Sequence, residues 1–167
     1  MFTVLSLKKS YMLAADELRY LLSMLQRYAV TPDGDWLASL LQDREPNFYW
    51  CEAMETGDVL GCFTPIRPDA IYLQPREQTV PDAQGRVFWL ELIFDTVVHE
   101  LRHMFQYRRH PFLYVLCALP GLRQLTLEKD AKSVEDGARR FAKNWSAMMD
   151  SAAYISRYGC PPEEYEK

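Results

Sequence analysis

Histidine is scarce in this sequence, cysteine never comes in metal-binding pairs, and positive charge is not in excess. Each shortage narrows the chemistry. The four cysteines, Cys51, Cys62, Cys117 and Cys160, include no C-x-x-C pair, so a cysteine-built zinc site is not expected. Nothing in the sequence argues for an oxidising compartment either, and the four are read as mostly buried thiols. With 19 Lys and Arg against 23 Asp and Glu, the formal net charge is -4, which gives no footprint for nucleic acid. The longest apolar run, Phe112 to Leu119, lies between Pro111 and Pro120 and is far too short to cross a bilayer. It is expected to be a buried segment. The N-terminus lacks the order of a signal peptide: Lys8 and Lys9 follow the first apolar residues, and Asp16, Glu17 and Arg19 interrupt what comes next. The expectation is a cytoplasmic protein without a membrane span.

What is present suits a globular chain. Apolar residues make up 49% of 167, enough for a core, and charged residues 25%, so residues 1–167 are read as a single domain. Leu13, Leu18, Leu21, Leu22 and Leu25 recur at helical spacing and predict an amphipathic helix from about Ser10 to Tyr28. A turn at 31–35 and a short helix from Trp36 to Leu41 follow. Aromatic residues crowd Asn47 to Glu55. The runs 59–63 and 70–74 are of strand type, giving two or three antiparallel strands. Pro65, Pro68 and Pro75 suit an edge position for Ala70, Ile71, Tyr72 and Leu73. After a polar loop at 79–85, a long helix is predicted from Arg86 to Tyr107. Another starts near Thr126 as N-cap and continues through Ala131, Val134, Ala138, Phe141 and Trp145; a last one runs from Met148 to Tyr158.

Two of the three histidines stand in His99-Glu100-Leu101-Arg102-His103, the pattern H-E-x-x-H. Residues four apart lie one above the other on a helix, so both imidazoles reach one ion. Glu100 is turned about 100° from His99. Its carboxylate therefore sits beside the metal position without being a ligand, as a general base requires. A hydrolytic site needs a third protein ligand. His110 falls one residue past the place an extended three-histidine motif would need, Gln106 replaces that motif's Gly, and Pro111 follows, so His110 is set aside. Two glutamates on the later helix remain, Glu128 and Glu135, each with Ala three residues on to allow close helix approach. Only one can serve; Glu128, in the first turn, is favoured, with Glu135 the alternative.

On these residues the chain resembles the gluzincin branch of the zincin metallopeptidases in its smallest, single-domain form. The resemblance covers about Ala70 to Phe141. With Gln106 one turn past the motif, it extends to uncharacterised metallopeptidases of bacteria and phages and to the ImmA/IrrE-like peptidases. It implies an α+β fold, a mostly helical zincin-like domain with a small antiparallel sheet ahead of the HExxH helix. It implies Zn2+ on His99, His103 and Glu128, with Glu100 as base and then proton donor. It also implies a peptide or protein substrate paired along the strand Ala70-Ile71-Tyr72-Leu73. The group that would stabilise an oxyanion is not evident, with Tyr107, Tyr154 and Tyr158 as candidates. Lys132 stands where larger relatives carry an Asp beside the metal shell. Two other functions are compatible with the sequence: a zinc-containing binding or regulatory protein without catalysis, and a metal-free interaction protein docking through Phe112 to Leu119.

Overall fold

The computed structural model of the chain describes residues 10–52, 60–75, 89–119 and 121–145. The expected loop at 79–85, the last helix with Tyr154 and Tyr158, and Cys160 lie outside these residues. The fold is α+β, with helices gathered on one face of a small sheet. Its elements in order are β1 (Ser10–Met12), α1 (Ala15–Ala29), α2 (Asp35–Asp43), β2 (Asn47–Cys51), β3 (Gly61–Phe63) and β4 (Ala70–Leu73), then helical residues 89–92, α3 (Phe94–Arg109), α4 (Pro111–Cys117), α5 (Leu122–Leu125) and α6 (Leu127–Ser133). Residues 135–145, here α7, are again helical. Among the described residues no helix is long and apolar enough to cross a membrane.

The sheet order is β1-β2-β4-β3. β1 and β2 are antiparallel, β2 and β4 parallel, β4 and β3 antiparallel, so the sheet is mixed where an antiparallel one was expected. This corrects the edge placed at Ala70, Ile71, Tyr72 and Leu73. β4 is an inner strand with hydrogen-bonded neighbours on both sides, and all four of its residues are buried. Its prolines misled because Pro68 and Pro75 flank the strand and remove no ladder donor from it. The edge is β3.

Side chains alternate across the sheet as the pleat dictates. Phe48, Trp50, Phe63, Ile71 and Leu73 face the helices and join one core with Leu21, Leu25, Leu37, Leu90, Phe94, Val97, Leu101 and Met104. Tyr49, Cys51, Cys62, Ala70 and Tyr72 form a small cluster on the opposite face, with the Tyr49 and Tyr72 rings stacked 5.4 Å apart. The first helix begins later than its leucine spacing suggested, because Ser10 to Met12 pairs with β2. Buried Glu17 marks the start: it accepts the N–H of Ala14 and the indole N–H of Trp50, both at 2.9 Å, and so ties α1 to β2.

α3 runs under the edge strand. A Cβ on Gly61 would lie 2.8 Å from Thr96 Cγ2 and 3.1 Å from Glu100 Cγ, so the strand sits this close only because residue 61 has no side chain. Gly61→Ala is expected to destabilise the fold by about 1–3 kcal/mol, the usual cost of overpacking. Chemical denaturation checks this; an unchanged midpoint would show that β3 can move away at no cost.

The expected helix from Thr126 to Trp145 is two helices. The chain turns at Val134, and α7 then packs Phe141 against Tyr28 and Phe94 at ring distances of 5.4 and 5.5 Å. Thr126 precedes α6, but its hydroxyl bonds back to the Leu122 carbonyl instead of capping. The segment Phe112 to Leu119 is not buried: Phe112 is 80% exposed and Leu119 52%, and in α4 only Tyr114 is buried. Among the described cysteines, Cys51 is a buried thiol, while Cys62 and Cys117 are partly exposed and unpaired.

Candidate metal centre

The HExxH pattern occupies the middle of α3, where Val97, Val98, Leu101 and Met104 fix the helix in the core. That burial turns His99 and His103 toward α6. Their Nε2 atoms stand 3.1 Å apart. Glu128, in the first turn of α6, brings Oε2 to 3.3 Å from His99 Nε2 and Oε1 to 3.4 Å from His103 Nε2. His99, His103 and Glu128 thus offer ligand atoms that all lie within 4.8 Å of one another, a group able to hold a metal ion.

The opposite ring nitrogens decide which atoms face the ion. Gln106 donates its amide to the Leu127 carbonyl at 3.1 Å and to Asp130 at 2.7 Å, which turns its oxygen to His103 Nδ1 at 2.9 Å. His103 Nδ1 therefore carries the proton. His99 Nδ1 meets the carboxylate of Glu135 at 2.7 Å and must also be N–H. Both Nε2 atoms then present lone pairs to one point that a carboxylate also faces. Three electron-pair donors so close repel one another unless a proton or a metal ion lies among them, and two imidazoles with one carboxylate are a donor set able to hold such an ion.

The protonation tendencies agree. Burial pulls the His99 imidazolium down, but Glu128, Glu100 and Glu135 outweigh it and hold its pKa above the ordinary value. His103 and His99 hold the Glu128 carboxyl well below the usual carboxylate range, against its burial and with help from Arg123. The centre concentrates ligand charge, which suits a positive partner.

Glu100 is close by but outside this donor set. Its Oε2 accepts the Phe63 N–H of β3 at 2.7 Å. Burial pushes its pKa up, against the pull of the two histidines and that N–H.

Glu135, weighed as an alternative third ligand, takes another role. It holds His99 in the required tautomer from the far side of the ring. Lys132 stands at the +4 position, and Asp130 supplies the carboxylate beside the centre instead. It takes Arg102 in a two-point pair at 2.7 and 3.0 Å, which lowers its pKa, and also accepts from Gln106. Arg102, Gln106 and Asp130 thereby clamp α6 onto α3, and fully buried Ala131 lets the helices close. Replacing Glu135 by Ala should weaken metal binding roughly 10–100-fold without touching a ligand. Competition against a chelating dye measures this, and an unchanged affinity would mean that Glu135 does not orient His99.

Two residues of the centre escaped the sequence. Tyr114 projects from α4, only 5% exposed, its ring edge-on to His103 at 6.2 Å, with burial raising its phenol pKa. Arg123 of α5 donates its Nε–H to Glu128 Oε1 at 2.8 Å. Each had a faint signal: Tyr114 interrupts an apolar run, and Arg123 is the one charged side chain between His110 and Glu128. His110 is exposed at the end of α3 and takes no part in the donor set. Tyr107 packs between Phe63 and Tyr114 at ring distances of 5.9 and 5.6 Å. No family model, curated protein or solved structure matches the chain.

Proposed function

We propose that the chain is a zinc-dependent peptidase of the gluzincin type. The observation that carries this reading is Glu100, a carboxylate beside the His99, His103 and Glu128 donor set and anchored by one oxygen to a backbone N–H. A centre serving only structure has no use for such a group. Zinc held there would polarise a substrate carbonyl and acidify a water at its open position.

The residues of the chain do the rest. Glu100 keeps Oε2 on Phe63, which leaves Oε1 to take the proton of the attacking water and deliver it to the departing amine. Its raised pKa brings it nearer to what a base and then an acid needs. Tyr114, whose O–H meets no acceptor among the described residues, is the donor we assign to the developing oxyanion.

The substrate edge passes from β4 to β3. Gln74 N–H bonds the Leu60 carbonyl, and the register pairs Gly61 with Leu73 and Phe63 with Ile71. Gly61 and Phe63 thus fall at positions whose backbone groups point away from β4; the Phe63 N–H is taken by Glu100, which leaves Gly61 open to an extended peptide.

The test is cleavage of a mixed peptide pool by the zinc-loaded chain and by Glu100→Gln. Products from the first and none from the second would support peptidase action, while no products, or equal products, would defeat it.

A further inference from the structure

α4 and α5 arch over the metal centre between α3 and α6. Their outer surface is apolar, with Phe112, Leu113, Leu116, Leu122 and Leu125 exposed. One charged side chain interrupts it. Arg123 reaches Glu128 through Nε, and among the described residues its two terminal nitrogens have no acceptor. The side chain is 47% exposed, so this fork is open to solvent. A guanidinium can donate five N–H bonds in a plane, and its two-pronged edge matches a carboxylate.

The position is specific. Arg123 Nε is 2.8 Å from Glu128 Oε1, which lies 3.4 Å from His103 Nε2. Arg123 Nε therefore stands no more than about 6 Å from His103 Nε2, within one to two residues along an extended chain at ~3.5 Å each.

We propose that Arg123 is a recognition residue for a substrate carboxylate lying one or two residues from the scissile bond. The proposal rests on the peptidase reading and adds a substrate class to it: peptides cut near a free C-terminus or beside an acidic side chain. The geometry favours a two-point pair from the outer nitrogens, while Nε stays on Glu128.

Three peptides of one sequence separate the possibilities: a free C-terminal acid, its amide, and an amide carrying Glu near the cut. With the zinc-loaded chain, kcat/KM for the acid, or for the Glu-containing amide, should exceed that for the plain amide by about 10- to 100-fold, as charge-assisted hydrogen bonds allow. The difference should appear mainly in KM. It should vanish in Arg123→Gln and return in part in Arg123→Lys, with both variants compared fully loaded at saturating zinc. Whichever carboxylate carries the preference identifies its source. Equal rates in the unaltered chain, or a preference that survives Arg123→Gln, would overturn the proposal. Loss of zinc in Arg123→Gln would also overturn it, since Arg123 would then serve only to hold Glu128. A calorimetric titration of the three peptides into zinc-loaded Glu100→Gln protein keeps the two readings apart. Tighter binding of the carboxylate peptides, abolished by adding Arg123→Gln, supports the proposal even where no peptide is cut. Equal binding of all three defeats it even where peptides are cut.

Discussion

Zinc added to metal-stripped protein should bind at one ion per chain and raise the melting temperature by roughly 10 °C. At a free concentration a thousand times the dissociation constant, a ligand that binds only the folded state stabilises it by about 4 kcal/mol. For a domain of this size, 1 kcal/mol moves the midpoint by roughly 2–4 °C. The effect comes from the donor set itself. Two imidazole nitrogens 3.1 Å apart face a carboxylate that its neighbours keep ionised. His99→Ala, His103→Ala and Glu128→Ala should each weaken zinc binding by at least about a hundredfold, more than the loss of an orienting partner costs. Atomic absorption and a thermal melt with and without chelator measure both quantities. A chain that takes up no zinc, or whose three variants keep it, would sink the metal centre and the peptidase reading with it. Glu135→Ala should fall between these variants and the unaltered chain, because it removes only the partner of His99 Nδ1.

The difference between Glu128 and Glu135 was only half legible in the sequence. Both stand on the stretch after the connector with Ala three residues on, and a continuous helix would have put them on one face. Which one meets the metal depends on the turn at Val134 and on the depth at which α6 is clamped by Arg102, Gln106 and Asp130. Those are long-range contacts that no local spacing reports. His99, His103 and Glu100 were legible because their geometry is set by one helix, and helical periodicity in α3 is strong. The sheet was legible as strands but not as an order. Proline beside a strand looks like proline within it, and parallel pairing of β2 with β4 leaves no turn signal between them. The apolar run 112–119 misled for a related reason. Hydropathy says that a segment prefers to leave water, but not whether its own domain provides the cover; here only Tyr114 finds it.

The second large effect belongs to Glu100. Glu100→Gln should lower kcat/KM for peptide cleavage by about 10²–10⁴-fold while leaving zinc affinity nearly unchanged. The substitution keeps size and shape, so packing under Gly61 is preserved. A glutamine can still offer its oxygen to the Phe63 N–H at the position Oε2 now occupies. What it cannot do is take a proton from water and return it to the leaving amine. The loss should therefore fall on kcat and leave KM almost untouched, since Glu100 moves protons and does not anchor the peptide. A structural carboxylate would behave otherwise: its replacement would shift stability or metal content, and any residual cleavage would follow the amount of folded, loaded protein. Measuring kcat, KM, zinc content and melting temperature on the same preparation separates the two. Cleavage that survives Glu100→Gln at full rate would place the proton transfer on another group. Cleavage lost together with zinc would make Glu100 a support of the centre instead of its base.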